Sequence, residues 1–210
     1  MNRKIPIPLT KDDQEKLLQQ PKKKSPLEYR NYCIIRLSLD IGTRCAETLA
    51  VKLHDINWNT GAITIKKGKG GKQRQLWFSE NLLLTLKDFL STWKKTYQQT
   101  EFLFSSGKGK ALQPSYVRAM MKRYVKKADL DPFISYHNLR HTFATDLLRE
   151  TKNIRLVQKS LGHSDLSTTM IYTHIVDEEL ETALRSLREE DSQPTEKPKK
   201  KRKILKRKIF

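Results

Sequence analysis

Only one stretch of this 210-residue chain reads as β-structure, and it is short. Asp55 to Trp58, a turn at Asn59-Thr60-Gly61, a run from Ala62 to Lys66, a tight glycine–lysine turn and a run from Gln73 to Phe78 follow one another as strands and turns do. The segments on either side carry a helical period instead. The chain must therefore bury helix faces against one another, with the strands as a minor element. The expected fold is mainly α with a small antiparallel β-sheet, an α+β domain.

The helices are punctuated clearly. Residues 1–9 form an extended lead with Pro6 and Pro8. Thr10 caps a first helix running to about Gln20, with Asp13 as the capping-box acid. Ser25 is expected to cap a second, with Pro26 at its first position and Glu28 at its third. Tyr29, Ile34, Leu37 and Ile41 trace its buried stripe, and Gly42 ends it. A third helix is expected from about Thr43, carrying Arg44, Glu47, Leu49 and Val51. Further helices are expected at about 80–96, 114–128, 136–149, 153–160, 166–173 and 177–190. There is no internal repeat.

Charge narrows the function. Lys and Arg number 42 against 23 Asp and Glu, a formal charge of +19, which favours a polyanionic partner, nucleic acid before an anionic membrane surface. Nine of the cations crowd into Lys197–Phe210, where there is no acid. With those nine set aside, 33 basic residues still face 23 acidic ones, so the body is basic in its own right. Cys33 and Cys45 have no metal-ligand or CxxC spacing and read as reduced thiols of an intracellular protein. No apolar run approaches a membrane span, and no signal-peptide core is present at the N-terminus.

Five short stretches carry chemistry. They are Gly42-Thr43-Arg44-Cys45-Ala46-Glu47, the loop from Gly68 to Arg74, His137-Asn138-Leu139-Arg140-His141, Leu161-Gly162-His163, and Tyr172 nine residues after His163. Taken singly each is weak. Arg44 and Glu47, three apart, would suit an ordinary helical ion pair. Lys69 in a glycine-rich turn is ordinarily solvated, a histidine near a helix start ordinarily caps or packs, and an aromatic at 172 ordinarily belongs to a core. Their joint occurrence, in this order, is specific.

The string His-Asn-Leu-Arg-His-Thr-Phe-Ala-Thr at 137–145, then Leu-Gly-His at 161–163 and the tyrosine at 172, resembles the catalytic domain of tyrosine recombinases, most of all the Xer-type and phage-integrase branch. The likeness runs from about Leu9 to Glu190. It divides the chain into a lead at 1–9, a catalytic domain at 10–190 and a basic, disordered tail at 191–210. It implies that Arg44 and Arg140 clamp the phosphate, that Lys69 is the hairpin lysine, that His137 and His163 are the active-site histidines, that Glu47 supports Arg44, and that Tyr172 is the nucleophile. Lys72, Arg74 and the tail cations Lys199, Lys200, Lys201, Arg202 and Lys203 are expected to grip DNA.

Such a set suits phosphoryl transfer. A phenol of pKa ~10 is mostly protonated at neutral pH, so attack needs a proton acceptor, for which His137 is the candidate. Arg44, Arg140 and His163 would neutralise charge on the non-bridging oxygens, and Lys69 would protonate the departing 5′-hydroxyl. The resemblance implies no metal and no cofactor. Its implied partners are duplex DNA, further copies of the chain in a tetramer on that DNA, and no membrane. The match begins so near residue 10 that the family's usual N-terminal DNA-binding domain has no room, which points to an accessory DNA-binding protein. The expected activity is site-specific recombination. The alternatives are an accessory DNA-binding role and a type IB topoisomerase-like relaxing activity. The expected location is cytoplasmic and nucleoid-associated, or nuclear if Pro198–Lys203 serves as an import signal.

Overall fold

In the computed structural model, residues 7–66, 73–98 and 100–162 are described. They fall within one compact unit. Helix α1 spans Lys11–Leu18, α2 Pro26–Ile41 and α3 Cys45–Ala50. A 3-10 turn at Leu53–Asp55 leads to strands β1, Ala62–Ile65, and β2, Arg74–Trp77. Helices α4, Glu80–Thr96, α5, Pro114–Lys127, α6, Tyr136–Thr151, and α7, Ile154–Leu161, follow. The mainly helical fold with one small antiparallel sheet is the one expected.

Helix α2 is the axis of the domain. Ten of its sixteen residues are buried, and a helix apolar on most of its circumference must be surrounded. It packs on α4 on one side and α6 on another. Phe89 of α4 meets Tyr29 edge-on and Trp93 and Phe104 at a tilt, with ring centroids 5.7 to 5.9 Å apart. Within this core α2 carries Arg30, whose Nη1 donates to the Ser105 carbonyl at 2.7 Å and whose Nη2 donates to Asn31 Oδ1 at 3.2 Å.

The start of α1 is the expected capping box, with Thr10 and Asp13 exchanging two hydrogen bonds. Ser25 behaves differently. It precedes α2, with Pro26 in the first turn, but its side chain makes no capping bond, and the Glu28 carboxylate accepts from the Lys22 amide instead. Gly42 ends α2 at φ +63°, and a Cβ there would lie 2.2 Å from the Phe143 ring, so both the turn and the approach of α6 require glycine.

The sheet pairs Ile63 with Leu76 and Ile65 with Arg74. The expected strand at Asp55–Trp58 is mostly absent. The Asp55 carboxylate accepts from the Lys52 amide at 2.9 Å and closes a 3-10 turn. Trp58 Nε1 folds back onto the Leu53 carbonyl, leaving only Ile56 to bridge to Ile63. Here side-chain bonding to local backbone outcompetes the ladder. No helix of the described residues is long and apolar enough to cross a membrane.

Candidate active site

The site is built where the C-terminal ends of α2 and α7 meet the N-terminal ends of α3 and α6. Arg44 does not lie inside α3, as its spacing from Glu47 suggested, but caps it in an extended conformation. Glu47, in the first turn, therefore reaches back. One carboxylate oxygen accepts from the Arg44 amide at 2.8 Å and the other from its guanidinium at 2.9 Å. The Arg44 side chain stays 40% exposed, against 4% for Arg140, so of these two arginines it is the one turned toward solvent.

Arg140 is fixed from two helix ends. Its Nη1 donates to the Gly42 carbonyl at 2.6 Å and its Nη2 to the Leu161 carbonyl at 2.8 Å. These carbonyls terminate α2 and α7, where the helix dipole is negative and a cation is favoured. Glu47 Oε2 lies 3.8 Å from Arg140 Nη1, so one carboxylate serves both arginines. Burial alone would raise the Glu47 carboxyl, but hydrogen bonds from Arg74 and the Arg44 backbone outweigh it and hold its pKa at about 2.

His137 occupies the first turn of α6, one turn before Arg140, and is exposed. Partial desolvation of its ring, then the charges of Arg140 and Arg44, lower its pKa, which favours the neutral imidazole, the form that can accept a proton. His141 meets it edge-on with ring centroids 4.6 Å apart.

Thr43, next to Arg44, is buried, and the fold gives it a partner. Its hydroxyl bonds Thr48 at 2.6 Å, and Thr48 bonds the Tyr136 hydroxyl at 2.7 Å, all three buried. This chain ties the turn that presents Arg44 to the start of the helix that presents His137.

Arg74 is placed differently from its expected role on DNA. Its Nη1 and Nη2 donate to the two Glu47 oxygens at 3.1 and 2.8 Å, and its Nε donates to the Ser160 carbonyl at 2.7 Å. The side chain is 9% exposed. The strand period contained this signal, because Arg74 shares a face with Leu76 and Phe78, which are both buried. A second feature missed in the sequence is a cationic stripe on α5, a helix without acids. Arg118, Lys122 and Lys126 recur every four residues on its exposed face, with Arg123 and Lys127 beside them. Helix α5 packs on α3, the helix that Arg44 caps.

Six of the seven tyrosines are described. Tyr29 bonds Asp88, Tyr116 bonds Asn31, Tyr124 is fully buried against Asn31, and Tyr136 bonds Thr48. Tyr97 packs on Trp93 at 4.5 Å, and Lys23 lies over the Tyr32 ring. The seventh is Tyr172. It lies outside the described residues, as do Lys69, Lys72, His163 and the tail with Lys199, Lys200, Lys201, Arg202 and Lys203.

A model of the phage integrase family matches residues 8–179. The chain belongs to the phage integrase family. Within it, the chain is 34% identical to the tyrosine recombinase XerD of Ralstonia nicotianae over 182 residues, covering 85% of this chain and 59% of the relative. It is likewise 34% identical to XerA of Pyrococcus furiosus over 184 residues, covering 86% and 61%. The chain thus spans about 60% of the length of these curated phage integrase relatives. Among solved structures, XerH recombinase bound to a palindromic difH substrate in a post-cleavage complex superposes with a TM-score of 0.73 at 32% identity, covering 86% of this chain and 53% of that one. XerA recombinase gives 0.73 at 29% identity, covering 91% and 67%. The catalytic domain of bacteriophage HP1 integrase shares the fold at a TM-score of 0.59 and 24% identity, covering 85% of this chain and 93% of that domain.

Proposed function

We propose that this chain is the strand-cleaving and rejoining part of a site-specific recombinase that acts on duplex DNA through a 3′-phosphotyrosyl intermediate. The observation that carries the proposal is the meeting of Arg44 and Arg140, from segments almost a hundred residues apart, on one buried carboxylate, with His137 one helical turn before Arg140 and within reach of both charges. Two guanidinium groups can take up charge on the non-bridging oxygens and an imidazole can accept a proton, two of the needs of an in-line displacement at a phosphodiester.

In the proposed step the Tyr172 oxygen attacks phosphorus while His137 accepts the phenolic proton. The bond to the 5′-oxygen breaks, and Lys69 donates a proton to that oxygen. Arg44, Arg140 and His163 take up charge on the non-bridging oxygens. Rejoining reverses the sequence, and the phosphotyrosyl bond conserves the energy of the broken linkage. Tyr172 is favoured as nucleophile both by its spacing from His163 and because Tyr29, Tyr116, Tyr124 and Tyr136 have their hydroxyls engaged elsewhere.

Duplex DNA is the proposed partner, gripped by the α5 stripe, by Lys72 and by the tail cations through phosphates rather than bases. The catalytic body at 10–190 and the basic tail at 191–210 remain the proposed division. Assembly as a tetramer on DNA, with an accessory DNA-binding protein, completes the proposal.

A nicked suicide duplex tests it. The wild-type chain should form an adduct that survives a denaturing gel. Tyr172→Phe should form none while binding DNA as well as the wild type. No wild-type adduct would leave an accessory DNA-binding role, and relaxation of supercoils without strand exchange would indicate a topoisomerase-like activity.

A further inference from the structure

Arg74 takes no part in the chemistry derived above, yet three segments of the site meet on it. All three of its guanidinium nitrogens are engaged, two on the Glu47 carboxylate and one on the Ser160 carbonyl near the end of α7. Gly162 closes over the same side chain. Its φ is +64°, and a Cβ there would come within 3.0 Å of Arg74 Cδ. Along the chain, Arg74 follows Lys69 by five residues, Ser160 precedes His163 by three, and Glu47 holds Arg44.

We infer that Arg74 is a positioning residue for strand cleavage. One buried guanidinium keeps in register the carboxylate that orients Arg44, the strand that leaves the Lys69 loop and the helix end that leads to His163. The requirement is geometric. A planar fork can bond both oxygens of a carboxylate and still offer Nε to a carbonyl, whereas the single ammonium of lysine cannot span all three acceptors. The effect on rate rests on the recombinase reading. The coupling of the three segments does not.

The test is Arg74→Lys in the full chain, which keeps the charge and loses the fork. Hydrogen exchange on the free protein should accelerate in peptides covering residues 43–47, 73–78 and 156–162, with α4 and α5 unchanged. On a nicked duplex at saturating concentration, the single-turnover cleavage rate should fall on the order of a hundredfold, as expected for a misplacement of about 1 Å, while DNA affinity stays near the wild-type value. Unchanged exchange in the three segments would overturn the inference whether or not the wild type cleaves DNA. So would faster exchange throughout the chain, which would mark a general structural role. Lost affinity and a shallower salt dependence, with the saturating rate intact, would also overturn it and return Arg74 to the DNA surface. A wild type that forms no adduct would sink the recombinase reading, and the exchange pattern would still decide the coupling.

Discussion

Glu47 and Arg44 are joined twice, once through the Arg44 amide at 2.8 Å and once through its guanidinium at 2.9 Å. The carboxylate that caps α3 is therefore also the one that aims the exposed arginine, and a helix start and a solvent-facing guanidinium share a single acid. Glu47→Gln keeps the shape and loses the charge. The folded-state carboxyl stands at about 2 against an ordinary 4.5, so its stabilising contribution is present above 4.5 and lost as pH falls toward 2. The contribution at neutral pH is of order 3 kcal/mol. Denaturant unfolding at pH 7 and pH 3 should show the variant clearly less stable at pH 7 and closer to wild type at pH 3. An equal deficit at both would mean that charge is not what Glu47 contributes.

Gly42→Ala should be among the most damaging single-methyl changes in the chain. It forces a left-handed φ of +63° on alanine and drives a methyl to 2.2 Å from the Phe143 ring. Together these cost roughly 2–5 kcal/mol. Adding Phe143→Ala should remove the clash but not the backbone strain, so thermal melts of the double variant should recover only part of the loss relative to Phe143→Ala alone. Full recovery would show that φ at this position is immaterial.

Lys69→Ala should slow cleavage of ordinary duplex far more than cleavage of a duplex carrying a 5′-bridging phosphorothiolate. A thiolate leaves without a proton, so the general acid becomes unnecessary. Equal slowing on both substrates would assign Lys69 to positioning the DNA.

The α5 stripe gives a prediction in salt. Each duplex phosphate neutralised contributes about 0.9 to the slope of log affinity against log salt, so replacing Arg118, Lys122 and Lys126 together by alanine should flatten that slope by up to roughly 2.7. The saturating cleavage rate should change little. An unaltered slope would place DNA elsewhere.

Local punctuation made much of the fold legible. Pro26 and Gly42 bound α2 at the residues the structure uses, and the alternation at 62–66 and 73–78 located both strands to within a residue. What escaped was set by partners distant in sequence. Arg74 meets Glu47 across 27 positions and Ser160 across 86, and a basic residue after a glycine–lysine turn looks DNA-facing until strand parity is applied. Arg44 caps α3 rather than lying inside it, one step from where the spacing puts it, because a capping glutamate and a helical ion pair share the same three-residue spacing.

The hydroxyl chain from Thr43 through Thr48 to Tyr136 also bears on how such a site can diverge. Removing one member of a buried hydrogen-bonded set strands its neighbour at about 1–3 kcal/mol, whereas exchanging partners together for apolar groups can be nearly neutral. Positions 43, 48 and 136 are therefore expected to drift as a group. A change at 43 alone leaves Thr48 with Tyr136 as its partner, whereas a change at 48 removes the link that both of the others use.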